Sequence, residues 1–175
     1  HMKKIAIVYW PLQGNVSRAA KKIHALIKDK ADIFDLASFS SREIQNYDYF
    51  IVGSSTVGAD AWQDANTKDK WLPFFKQMEF EEVSMQGKKV ALFGLGDQIL
   101  YPDHFVDGMA ILKKEFKNLG AEIHGEWPSE GYEHTGSKSE KDGKFIGLAL
   151  DEDHQDNETV ARAAKGLQKS SKFGF

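Results

Sequence analysis

The chain of 175 residues contains no cysteine. Disulfides, thiolate-bound metals and cysteine nucleophiles are excluded, and a reducing cytoplasm is the expected setting. No apolar run reaches bilayer-spanning length and no signal-peptide pattern is present, so no membrane is expected as a partner. An excess of one charge is missing too. The 23 basic and 26 acidic side chains leave a formal net charge of −3, which argues against nucleic acid. The acidic surplus is local: residues 51–108 hold nine acids against five bases. His1 ahead of Met2 has the look of a tag remnant, so a single domain is expected over 2–175.

What is present is an alternation of strands and helices. Ile5 to Trp10 is a nearly continuous apolar run, the pattern of a strand buried on both faces. A turn with Gly14-Asn15 follows, then an amphipathic helix from Ser17 to about Lys28 with Ala20, Ile23, Ala25, Leu26 and Ile27 on its apolar side. Further strands are expected at Ala31 to Leu36, Asp48 to Val52, Val90 to Phe93, Ala121 to Trp127 and Phe145 to Leu150. Ser40 with Glu43 could cap a short helix. Other helices are expected from Trp71, from Asp103 to Leu119, and from Glu158 to Lys169 with Val160, Ala164 and Leu167 buried. The fold class is α/β, a doubly wound five-stranded parallel sheet of order 2-1-3-4-5 with helices on both faces.

In such a sheet, ligands bind outside the carboxyl ends of the strands. Three loops leave those ends. The first, Leu12, Gln13, Gly14, Asn15, Val16 and Ser17, opens a helix, where backbone N–H groups and the helix dipole favour an anion. It lacks the Gly-Lys-Ser/Thr of a Walker loop. The second carries hydroxyls at Ser54, Ser55 and Thr56, then Val57 and Gly58, with Trp62 in the middle of a long polar stretch. The third runs through Gly94, Leu95, Gly96, Asp97, Tyr101, Asp103 and Phe105. Together they describe a mononucleotide with a flat ring. Gly53-Ser54-Ser55 lacks the second glycine of a nucleophile elbow, Gly94-Leu95-Gly96 lacks the third glycine of a dinucleotide fingerprint, and the histidines show no metal-ligand spacing. No metal is expected.

The run Gly94-Leu-Gly-Asp-Gln-Ile-Leu-Tyr-Pro-Asp-His-Phe-Val-Asp107, with Trp127-Pro-Ser-Glu-Gly-Tyr132 and Phe145-Ile-Gly-Leu-Ala-Leu-Asp-Glu-Asp-His-Gln155, resembles the long-chain flavodoxins. The resemblance implies a flavodoxin-like fold whose fifth strand is split by an insertion at 128–143. It implies FMN as cofactor, with Tyr101 stacking on the outer face of the isoalloxazine, the Asp97 loop at its pyrimidine edge, Asp151 near the ribityl chain and Asn15 in the phosphate loop. Thr56 matches the residue before the inner-face tryptophan. Val57 stands in that tryptophan's place, and Trp62 is expected to fold back as the substitute. The phosphate loop departs from the family's Thr/Ser-x-Thr-Gly-Asn-Thr: it reads Pro11-Leu12-Gln13-Gly14-Asn15-Val16 and lacks three hydroxyls.

On this resemblance the protein is a monomeric cytoplasmic electron carrier, not an enzyme, with no catalytic residues. It would shuttle single electrons between redox proteins that dock transiently on an acidic face (Asp60, Asp64, Asp97 and Asp103). A glycine at Gly58 permits a backbone flip beside the flavin. Two alternatives stay open: an FMN-dependent NAD(P)H quinone or nitro reductase on the same fold, and a flavin-free binding or regulatory protein.

Overall fold

The computed structural model describes residues 3–55 and 69–175. Strand β1 (Ile5–Trp10) is buried along its whole length because it lies between two parallel neighbours, β2 (Ala31–Asp35) and β3 (Tyr49–Ser54). β4 (Lys89–Leu95) pairs with the far side of β3. Beyond β5 (Glu122–His124) the chain leaves the sheet and forms β6 (Trp127–Pro128), β7 (Glu140–Lys141) and β8 (Lys144–Phe145), a small antiparallel sheet of order β6-β8-β7. It returns as β9 (Leu148–Leu150). The expected order β2-β1-β3-β4-β5 is present, and the two pieces of the split edge share β4: β5 takes Lys89–Ala91 and β9 takes Phe93–Leu95.

The split corrects two strand boundaries. The strand expected over Ala121 to Trp127 ends at His124, where Gly125 turns the chain with φ +97. The strand expected over Phe145 to Leu150 is divided at Gly147, which touches β4 so closely that a Cβ there would lie 2.4 Å from the Leu92 carbonyl oxygen.

Helix α1 (Asn15–Ile27) buries Val16, Ala19, Ala20, Ile23 and Ile27, while Ala25 and Leu26 face outward. α2 (Trp71–Phe80) is started by Asp69, whose carboxylate accepts the N–H groups of Trp71 at 2.9 Å and Leu72 at 3.1 Å. α3 (Gly108–Asn118) begins later than its apolar spacing predicts. Pro102–His104 form a 3-10 turn and Val106 takes φ +50, so the regular helix starts only at Gly108. α4 (Asp156–Ser170) buries Thr159, Ala163 and Ser170; Val160 and Ala164, expected inside, are exposed. Ser40 and Glu43 introduce a 3-10 segment, Ser41–Asn46, without a side-chain cap.

α1 packs beside α4, and α2 meets α3 through Phe75 and Phe116, whose rings are 5.0 Å apart. Burying aromatic rings of this size contributes about 1.5–3 kcal/mol each.

Candidate functional site

The register aligns the strand ends in one row: Trp10 lies opposite Ser54, Ser54 opposite Gly94, and Gly94 opposite Ala149. The loops that follow therefore leave side by side. In the first, Gln13 and Gly14 are exposed, Gly14 takes φ +90, and a Cβ placed on it meets none of the described residues within 4 Å. Among the described residues no side chain caps α1, which leaves the N–H groups of its first turn without a side-chain partner there. Val16 and Ser17 are buried, and Leu12 packs on the core. Asn15 is engaged by the protein itself. Its Nδ2 donates to Asp153 Oδ1 at 3.1 Å and its Oδ1 accepts from the Arg18 guanidinium. Its amide thus ties α1 to the turn after β9.

In the second loop the Ser54 hydroxyl is fully buried and has no hydrogen-bond partner among the described residues, while Ser55 is half-buried. Thr56, Val57, Gly58, Asp60, Trp62 and Asp64 lie outside the described residues, and so does the expected inner-face ring.

The third loop is held from below and from the side. Gly94 touches Met109, and a Cβ on Gly96 would lie 2.8 Å from the Phe105 ring. Phe105 is 1% exposed and packs on Tyr132, His134 and Phe145, so its ring supports the loop from beneath. The Gly96 N–H donates to Leu150 O at 3.1 Å. Asp97 turns inward. Its Oδ1 accepts from the N–H groups of Ile99 at 3.0 Å and Leu100 at 2.8 Å and pairs with His154 Nε2 at 2.7 Å. Burial alone would raise this carboxyl, but the Leu100 and Ile99 N–H groups and His154 outweigh it and hold it below the ordinary carboxylate range. At 9% exposure it is no docking charge, unlike Asp103, which is exposed and accepts from the Thr135 hydroxyl. Ile99, Leu100 and Tyr101 follow at 48%, 70% and 68% exposure, three apolar side chains held outward.

Asp151 is fully buried at the end of β9. Its Oδ2 accepts the Gln98 N–H at 3.1 Å, and its Oδ1 accepts those of Asp153 and His154, both at 3.1 Å. Its visible work is to join the third loop to the last strand. Sequence reasoning missed the other members of this joint. Gln98, 1% exposed, accepts the Glu133 N–H and so reaches the segment between β6 and β7. His154 closes on Asp97. The one signal for them is the habit of aspartates to bind N–H groups two and three residues on, which both Asp97 and Asp151 follow.

The chain as a whole is similar to known proteins. The family model described as flavodoxin matches residues 7–166. A flavodoxin from Trichodesmium erythraeum is 37% identical over 176 residues, covering 99% of both chains. One from Picosynechococcus is 35% identical and covers 92% of both. The crystal structure of Fusobacterium nucleatum flavodoxin bound to flavin mononucleotide superposes with a TM-score of 0.80 at 29% identity, covering 98% of each chain. Over nearly its whole length, then, the chain belongs to the flavodoxin family.

Proposed function

We propose that this protein binds FMN at the row of strand ends and carries single electrons between redox proteins. The observation that carries the reading is the Ser54 hydroxyl, buried and unpartnered among the described residues, in register with the start of the loop to α1 and with the end of β4. A buried hydroxyl without a partner costs about 1–3 kcal/mol, and a ligand oxygen would relieve it. The open first turn of α1 fits a phosphate, and the outward ring of Tyr101 fits one face of a flat heterocycle.

FMN supplies reversible one-electron chemistry when bound; the chain supplies position and field. Backbone N–H groups from Leu12 to Ser17 hold the phosphate in place of the missing hydroxyls. Tyr101 covers the ring, and the Asp97 loop, stiffened by its own N–H bonds, fixes the pyrimidine edge. Asp151 acts through Gln98 and so sets that loop's distance from β9. Partners dock at this end of a monomer of one domain in the cytoplasm, on the exposed carboxylates Asp103, Asp153 and Asp156 and the apolar Ile99 and Leu100. Such contacts are weak, salt-sensitive and quickly released, as a shuttle requires. Titrating the flavin-free protein with FMN tests the reading: stoichiometric quenching of flavin fluorescence at one FMN per chain supports it, and unquenched flavin overturns it.

A further inference from the structure

The trio Asp97, Asp151 and His154 brings three ligating atoms within 4.8 Å of one another. Three of its four carboxylate oxygens already accept N–H groups, which fits a hydrogen-bonded joint better than a metal centre. Asp97 Oδ1 has three, and Asp151 has one on Oδ2 and two on Oδ1. The trio is a joint between two loops. Asp151 fixes the backbone of Gln98, and His154, whose own N–H is held by Asp151, reaches back to Asp97 at 2.7 Å. Asp97 in turn orders Ile99, Leu100 and Tyr101, since its carboxylate takes two of their N–H groups and its carbonyl the third at 3.0 Å.

We propose that His154 is a positioning residue for the tyrosine-bearing loop, acting through its ring N–H bond to Asp97. That bond ties the turn after β9 to the carboxylate that orders Ile99 and Leu100, and so holds the loop in its flavin-ready form. Order established before the ligand arrives lowers the cost of binding. The inference rests on the FMN reading.

The test compares wild type with His154→Gln, which keeps a neutral donor, and His154→Ala, which keeps none. FMN dissociation constants are measured for all three, and amide-exchange protection of Ile99 and Leu100 is measured in the flavin-free proteins. His154→Ala is expected to bind FMN about three- to tenfold more weakly than wild type, with Ile99 and Leu100 protection falling in parallel and His154→Gln restoring part of both. An unchanged FMN affinity in His154→Ala, or Ile99 and Leu100 protection indifferent to residue 154, overturns the inference. A wild type that takes no FMN overturns the cofactor reading instead, while the exchange data still decide the role of His154 in the loop.

Discussion

The ammonium group of Lys22 stands 2.8 Å from Glu152 Oε1, and the Glu152 side chain is 1% exposed. A charge on α1 is thus paired with a buried carboxylate just past β9, which also accepts the Thr159 hydroxyl of α4. Three elements meet on one carboxylate beside the first loop.

Removing its main partner should expose the cost of that burial. Lys22→Met leaves the carboxylate with Thr159 and with Arg18, whose Nε is 3.8 Å away. Because Lys22 is itself 31% exposed, the loss should be about 1–3 kcal/mol, below that of a fully buried pair. Glu152→Gln, which removes the charge and keeps an acceptor for Thr159, should lose less. Urea unfolding of both single variants and the double variant checks the order.

Ser54→Ala separates fold from ligand. The hydroxyl has no partner among the described residues, so the flavin-free protein should be as stable as wild type or up to about 1 kcal/mol more stable. FMN affinity should fall about three- to tenfold. Chemical denaturation and FMN titration, done on the same preparations, give both numbers.

Tyr101→Ala should show a similar division. The ring is 68% exposed, so flavin-free stability should change by no more than about 0.5 kcal/mol. Loss of a stacking partner should weaken FMN about three- to tenfold, read as reduced flavin quenching at fixed concentration.

Acid should unfold the protein through its inward carboxylates. Burial alone would raise Glu140, but hydrogen bonds from Ser129 and from His134, 2.6 Å away, outweigh it and leave the group lowered, as Asp97 is. A folded value below the ordinary 3.8 of Asp97 or 4.5 of Glu140 means stability that is fully present above those values and is lost as pH falls through the lower folded ones. The urea midpoint should therefore drop between about pH 5 and 3. Asp97→Asn should flatten part of that drop, because its neutral amide loses nothing to protons.

The sheet was legible in the sequence because strands buried on both faces, such as Ile5–Trp10, read as unbroken apolar runs. The start of α3 was not. Phe105 keeps helical spacing with Met109, Leu112 and Phe116, and all four are buried, yet Phe105 reaches the core from an irregular segment in which Val106 has positive φ. Apolar spacing records where a side chain ends up, not the backbone that takes it there. α4 misled differently: Thr159 is buried in preference to Val160 because its hydroxyl has Glu152 to bind.

The site was legible where its residues are loop markers and opaque where they act through hydrogen bonds. Gly14, Gly96 and Tyr101 stand out in the sequence, and Tyr101 does face outward. Asp97 reads equally well as a surface charge or a turn acceptor, and only the positions of the Ile99 and Leu100 N–H groups decide for the second. Gln98, His154 and Glu152 draw their roles from partners 35, 57 and 130 residues away, a separation that no local pattern encodes.

The central claim is that this chain holds FMN as a one-electron carrier, and a spectroelectrochemical redox titration of the FMN-loaded protein tests it most directly. The account predicts two resolved one-electron steps, the second at a lower potential than that of free FMN. A single two-electron step at the potential of free FMN would contradict it.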